Sequence, residues 1–453
     1  MDTKTFEQPG INAVRLALSS LSVYRHLLEE KVITELLSLL DYISSDKFEL
    51  CKATSLYNQF FFSLANSNAP MWQLNSLKDL IIDRIIFDEN PFTRRAEAQD
   101  FCCMDKALKA ATSNDLRCLN TVSRLSSSTV KAHIAKYCSP PESDVTVSLP
   151  SWEFQESLSF CGDEAIIKEV FYSGKDWSVC VEVLSNFHRK CGCGIFARYK
   201  GFIWERTGNH GQLKGISAHD PIALCDLIGY DVERSEVINN TLQFLRGFAA
   251  NNVLLYGDRG TGKSSTVKAI LNEYHSQGLR IVEVPKMRLI DFPAIIRELK
   301  GRAQKFIIFV DDLAFEDKEE NYTALKAVLE GGLESKPHNV LIYATSNRRH
   351  LIKEKFSDRL GLQSSDPNDE IRAADSMQEK LSLADRFGIT VVFSSPDKYK
   401  YLEIVEGIAA KRGLEMDKEM LHKEALKWEL WYNGRSPRTA RQFVDWLEGQ
   451  IKK

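Results

Sequence analysis

The sequence has no apolar run long enough to cross a bilayer; its longest candidates, such as residues 306–310, have the length of a buried strand. It opens Met1-Asp2-Thr3-Lys4-Thr5-Phe6-Glu7-Gln8-Pro9-Gly10, without the charged-then-apolar pattern of an export signal. Both absences point to a cytoplasmic protein with no membrane partner. Neither sign of charge dominates. A net charge of −3 excludes a general electrostatic affinity for nucleic acid or anionic membrane, and leaves only a local basic patch open. Pairs of Cys-x-x-Cys knuckles are missing as well. The ten cysteines all fall between Cys51 and Cys225, and the cytosolic expectation for them is reduced thiols. Cys191-Gly192-Cys193 beside His188 is a fragment of a metal-binding pattern, but alone it does not complete a tetrahedral zinc site. Internal repeats and long low-complexity tracts are absent too.

What is present is ordinary globular sequence with strong local patterning. At 453 residues, 43% hydrophobic and 27% charged, the chain has material for two or three domains. Residues 1–145 read as a helical domain; residues 32–40 carry apolar side chains at helical spacing. The breaker cluster Ser139-Pro140-Pro141-Glu142-Ser143-Asp144 marks its end. Residues 146–218 differ. Short apolar runs at 178–184 and 194–204, separated by glycines, predict an α+β linking region with a hairpin. Trp152, Trp177 and Trp204 are expected to pack in cores.

Residues 219–395 become regular. Strands are expected at 252–256, 280–284, 305–310, 339–345 and 389–393, with helices at 263–276, 291–300 and 321–334. Residues 363–369 form a polar loop. Strands alternating with helices predict an α/β domain, a five-stranded parallel sheet with helices on both faces. Residues 396–453 read as a helical lid.

The chemistry concentrates at strand ends. Gly257-Asp258-Arg259-Gly260-Thr261-Gly262-Lys263-Ser264 matches G-x-x-x-x-G-K-[ST] directly after a strand and at the opening of a helix. Glycines let the backbone curl so that N–H groups point at phosphate oxygens, and the helix N-terminus adds partial positive charge. Lys263 would reach the β- and γ-phosphates, and Ser264 would offer its hydroxyl to Mg²⁺. The alternative, a glycine-rich turn that happens to precede a lysine, does not explain the full pattern in this setting. The strand 305–310 ends in Asp311-Asp312, which puts two carboxylates at the ligand-binding edge of the sheet. Asp311 would hold Mg²⁺ and Asp312 would activate water. Taken alone, an ordinary acidic turn would explain the pair equally well; the intervening strand-helix unit decides against it. A strand inserted between the loop strand and the acidic strand is typical of motor-type ATPases.

Three weaker signals depend on position. Asn347 ends the fourth strand, where an amide would contact the γ-phosphate or the attacking water; strand-end asparagines are also common turn residues. Arg386 precedes the last strand and would reach a neighbouring subunit's γ-phosphate, with Arg348, Arg349 and Arg359 as rivals; an ion pair with Asp385 is the plain alternative. Arg438 opens the final helix behind Pro437 and would fold back onto the γ-phosphate, unless it merely shares a solvated basic face with Arg435 and Arg441.

The order and spacing of these elements resemble the AAA+ ATPases from about residue 220 to 453. The runs Asp385-Arg386-Phe387-Gly388 and Ser436-Pro437-Arg438-Thr439-Ala440-Arg441 are similar to those of bacterial Holliday-junction branch-migration motors, and the acidic pair to that of replication initiators. More closely, Asn251 to Ser265, Phe306 to Glu316, Ala344 to Leu351, Ser382 to Gly388 and Gly194 to Trp204 resemble an uncharacterised AAA+ family of bacteria and plants, one of the numbered domains of unknown function. The resemblance implies a Walker A loop reaching Ser265, a Walker B pair at Asp311 and Asp312, and sensors at Asn347 and Arg438. It also implies an arginine finger at Arg386 in a homo-oligomeric ring, and an adenine cradle over Asp226-Leu227-Ile228-Gly229-Tyr230, with Ile228 against the base. Many AAA+ enzymes carry glutamate where this chain has Asp312, which puts fast turnover in doubt. The implied activity is ATP hydrolysis with Mg²⁺ that remodels or moves a macromolecule; the alternative is a slow nucleotide-gated adaptor or loader. The partner, protein or nucleic acid, would be chosen by residues 1–215. From Pro396 onward 12 Lys and Arg face 10 Asp and Glu, so the lid offers no basic stripe for nucleic acid.

Overall fold

The computed structural model describes residues 8–67, 76–138, 146–153, 164–208, 210–313, 320–330, 337–347, 386–432 and 434–451. The chain divides into two compact units, residues 1–198 and 199–453. The segment 146–218, expected as a linking region, is therefore split between them.

The first unit is helical. Its helices are α1 (Ile11–Ser19), α2 (Lys31–Ile43), α3 (Leu50–Ala65), α4 (Leu77–Phe87), α5 (Pro91–Ala98), α6 (Lys106–Ser123), α7 (Ser127–Ala135), α8 (Glu164–Tyr172), α9 (Val181–Cys191) and the short α10 (Ile195–Arg198). Apolar positions at i, i+3 and i+4 put Val32, Ile33, Leu36, Leu39, Leu40 and Ile43 of α2 into one core. Asp115 of α6 is fully buried, and its carboxylate accepts from the N–H groups of Ser22, Val23 and Tyr24 at 2.7–3.0 Å. That satisfies donors which burial would otherwise strand. The run 178–184 is helical: alternation there is overridden by Asp176, which caps the turn by accepting from the Ser178 N–H at 2.8 Å. Trp152 and Trp177 are buried in this core.

The second unit is a seven-stranded sheet in the order β2-β1-β4-β5-β6-β3-β7. The strands are β1 (Gly201–Thr207), β2 (His210–Ile216), β3 (Val253–Gly257), β4 (Leu279–Glu283), β5 (Lys305–Val310), β6 (Val340–Ser346) and β7 (Ile389–Phe393). Five of them form the expected parallel sheet. The other two are the hairpin expected in the linking region: β1 runs parallel to β4, and β2 closes the edge antiparallel to β1. Trp204 of β1 is buried in this unit and donates to Asp291 at 3.0 Å. The parallel strands are buried at successive positions: Phe306, Ile307, Ile308, Phe309 and Val310 are all inaccessible, as a sheet covered on both faces requires.

Helices α11 (Asp231–Leu245), α12 (Lys263–Tyr274), α13 (Phe292–Leu299) and α14 (Glu320–Glu330) connect the strands. Tyr343 of β6 ties α11 down: its hydroxyl meets Asn240 Nδ2 at 3.0 Å and Thr241 Oγ1 at 2.8 Å. The lid is α15 (Lys398–Lys411), α16 (Lys418–Trp431) and α17 (Pro437–Ile451). Asp397, Asp417 and Ser436 cap these helices by accepting from the N–H groups of Lys400, Met420 and Thr439. Ile404, Val405, Phe443 and Val444 of the lid join the same apolar cluster as Val253, Leu255, Ile307 and Phe309 of the sheet. In the sheet it is β6, rather than the β4 that follows the loop helix in sequence, that separates β3 from β5.

Candidate nucleotide-binding site

The carboxyl ends of β3, β5 and β6, the start of α12 and the lid enclose a cleft of about 450 Å³. Three glycines shape its loop. Gly257, Gly260 and Gly262 have φ of 138°, 77° and 94°, values an L side chain rarely adopts. At Gly257 space also forbids a side chain, because a Cβ would lie 2.1 Å from the Phe393 carbonyl oxygen of β7. The next N–H, from Asp258, donates to that same oxygen at 3.1 Å. Among the described residues nothing lies within 4 Å of a Cβ position at Gly262, which lines the cleft.

Lys263 begins α12 and is 6% exposed. Its Nζ donates to Gly257 O at 2.9 Å, Asp258 O at 2.7 Å and Asn347 Oδ1 at 3.1 Å. Burial lowers its affinity for a proton, and the nearby Asp258, Asp311 and Asp312 work against that shift. Asp258 itself is held below the usual carboxylate range by Ser395, first through its side chain and then through its N–H, which donates to Oδ2 at 2.8 Å. Neither Gly257 nor Asp258 is a lining residue of the cleft; Arg259, Gly260, Thr261, Gly262, Lys263, Ser264 and Ser265 are.

Across the cleft Ser264 Oγ donates to Asp311 Oδ1 at 2.6 Å. Thr345 Oγ1 donates to the same oxygen at 2.5 Å, and accepts from the Asp312 N–H at 2.9 Å. Asp312 has φ of 51°, a left-handed conformation that turns the chain at the strand end. Its Oδ1 accepts from Asn347 Nδ2 at 2.6 Å. The hydroxyl of Ser264 and the carboxylate of Asp311 are hard oxygen donors, the ligand type that Mg²⁺ takes.

The lid closes over the loop. The Arg438 N–H donates to Gly260 O at 3.1 Å, and Arg438 and Arg441, one helical turn apart, both line the cleft. Ile228 lines its apolar end with Ile404 and Ile408 of α15, and Asp226 forms an ion pair with Lys411 behind it. Five cationic side chains (Arg234, Arg259, Lys263, Arg438 and Arg441) face three carboxylates (Asp226, Asp311 and Asp312), a balance that suits a polyphosphate.

The structure thus brings together Lys263, Ser264, Asp311, Asp312, Asn347, Arg438 and Ile228. Arg386 lies ahead of β7, at the end of that strand opposite the cleft, and interacts within its own chain. Arg348, Arg349, Arg359 and the loop 363–369 fall outside the described residues. Thr345 and Arg234 were not legible as site residues. Thr345 lies two residues before Asn347, and its role comes from β6 bordering β5. Arg234 gave no signal.

The family model described as "Protein of unknown function (DUF815)" matches residues 197–451, more than half of the chain. A 26S proteasome regulatory subunit homologue of Methanocaldococcus jannaschii is 26% identical over 209 residues, 40% of this chain and 55% of that one. Among solved structures, the RuvB Holliday junction branch migration motor of Thermotoga maritima matches at 19% identity and a TM-score of 0.32, over 50% of this chain and 63% of that one. A variant of the same motor matches at 18% identity and a TM-score of 0.33, over 51% and 66%. The chain therefore spans between half and two thirds of the length of these similar proteins.

Proposed function

The chain belongs to the DUF815 family, and from that premise and the cleft we propose that it binds ATP with Mg²⁺, hydrolyses it, and uses the cycle to remodel or move a macromolecular partner. One observation carries the reading. Lys263, Asn347 and Asp312 form a continuous hydrogen-bonded chain alongside the Ser264–Asp311 pair, all at the mouth of one P-loop.

In this reading the loop N–H groups and Lys263 hold the β- and γ-phosphates. Ser264 and Asp311 would hold Mg²⁺, which supplies charge neutralisation at the phosphates. Asp312 accepts a proton from the attacking water, and Asn347 fixes the carboxylate that does so. Arg438 stabilises charge on the γ-phosphate from the lid. No covalent intermediate is needed; positioning and charge supply most of the catalysis. Subunits assemble into a ring in which Arg386, remote from its own cleft, serves the neighbour's. The helical unit selects the partner.

The test is a pair of substitutions. Lys263→Ala abolishes ATP binding. Asp312→Asn keeps binding and loses turnover; an Asp312→Asn protein with full turnover would remove that residue from the mechanism. A second reading, a slow nucleotide-gated adaptor or loader, is favoured by Asp312 itself. Its side chain is one methylene shorter than glutamate, and its backbone sits in a left-handed conformation. Steady-state ATPase rates with and without DNA or candidate proteins separate the two readings.

A further inference from the structure

Helix α15 carries a glycine well inside its length. Gly407 gives up helix propensity there, since glycine is among the poorest residues for a helix interior. Its missing side chain has a local cause. A Cβ at 407 would lie 2.7 Å from Ile228 Cγ2, 3.3 Å from Cγ1 and 3.5 Å from Cδ1. The Ile228 side chain occupies the place that a side chain at 407 would take.

The backbone around Ile228 is pinned. Asp226 accepts from the Ala223 N–H at 2.8 Å and pairs with Lys411. Gly229, at φ 73°, has no room to move toward α15, because its own Cβ position is 3.1 Å from Ile404 Cγ1. Tyr230 donates its hydroxyl proton to Ser394 O at 2.5 Å. A side chain at 407 would push the Ile228 side chain off the helix, and the two spaces Ile228 borders are the cleft and a neighbouring hollow of about 410 Å³ lined by Ile222, Lys411 and Arg412. With Ile404 and Ile408, Ile228 makes an apolar recess at one end of that cleft.

We infer that Gly407 sets the depth of this recess, which receives the flat purine base, and that a side chain at 407 displaces Ile228 into the place of the base. The inference rests on the ATP-binding reading above and adds a specificity-determining residue to it. A purine gains more from such a recess than a pyrimidine, because it buries more apolar surface.

Binding of ATP, CTP and inorganic triphosphate to the full chain, measured by calorimetry, tests it. The unsubstituted protein binds ATP more tightly than CTP, and CTP more tightly than triphosphate. Gly407→Ala lowers ATP affinity by on the order of tenfold, toward that of triphosphate, and leaves triphosphate affinity unchanged. Ile228→Ala added to Gly407→Ala reopens the recess and restores part of the preference for ATP. Unchanged ATP binding in Gly407→Ala overturns the inference alone, and so does a parallel loss of ATP and triphosphate. An unsubstituted protein that binds neither overturns the ATPase reading and this inference with it.

Discussion

Asn347 Nδ2 donates to Asp312 Oδ1 at 2.6 Å, while the oxygen of the same amide accepts from Lys263 Nζ. One side chain at the end of β6 thus connects the residue assigned to phosphate with the residue assigned to water. Asn347→Ala removes both contacts and leaves the loop intact. The expected result is ATP affinity within a few-fold of the unsubstituted protein and turnover down about a hundredfold, as for loss of one preorganised donor. Nucleotide titration and single-turnover hydrolysis check the two halves; equal losses in both would assign Asn347 to binding alone.

Thr345 gives a second, separable test. Its hydroxyl donates to Asp311 Oδ1 and accepts from the Asp312 N–H. Thr345→Val keeps the shape, releases the Asp311 carboxylate and leaves the Asp312 N–H without its acceptor. The Mg²⁺ concentration needed for half-maximal turnover should rise, with metal-free nucleotide affinity unchanged. A Mg²⁺ titration of hydrolysis decides it.

Much of the second unit was legible because its signals are local. Residues 306–310 form an uninterrupted apolar run with two acids behind it, and β5 takes in all of them as Lys305–Val310. The P-loop needs only its own glycines and the strand before it. What was not legible depends on which strand lies beside which. The runs at 178–184 and 194–204 announced a hairpin in the linking region, but nothing in them placed it at residues 201–216 or said that β1 would pair with β4 and widen the sheet to seven strands. Thr345 is silent in the sequence for the same reason, since its role comes from β6 bordering β5. Ile228 was placed at the base by resemblance, whereas its seat on Gly407 requires the lid helix in three dimensions.

Arg386 supports a prediction about assembly. It stands at the end of β7 remote from the cleft. If it serves a neighbour, Arg386→Ala binds ATP normally and does not turn over. Mixing Arg386→Ala with Lys263→Ala then recovers part of the activity, because mixed interfaces pair an intact cleft with an intact arginine. Light scattering with ATP should show a species larger than the monomer. A strict monomer with undiminished activity would exclude the role.

Gly257 is the position where the loop tolerates least. Its φ of 138° strains any side chain, and the obstacle facing a Cβ is the Phe393 backbone carbonyl rather than a movable side chain. Gly257→Ala must shift β7 away from β3 or reshape the loop. The expected destabilisation is roughly 3 kcal/mol, read as a lowered thermal midpoint, with ATP binding lost even where the protein remains folded. Gly434→Ala is the contrast. It also has positive φ, at 73°, but among the described residues nothing lies within 4 Å of its Cβ position, so it should cost less.

In the helical unit, His188 is completely buried and should make stability sensitive to acid. Its Nδ1 meets Gly192 O at 2.9 Å, and its Nε2 has no hydrogen-bond partner among the described residues. Burial lowers the imidazole from 6.5 to about 4. The folded state therefore keeps His188 neutral while the unfolded chain takes up a proton below pH 6.5. Its contribution is undiminished above that pH and is lost progressively as pH falls toward 4, by about 3 kcal/mol in all. His188→Asn keeps an amide donor near Gly192 O without a group that titrates in this range. Urea unfolding of the full chain at pH 7, 5.5 and 4.5 should show the stability advantage of the unsubstituted protein over His188→Asn shrinking as the pH drops. A difference that stays constant across that range would assign the acid sensitivity to other groups.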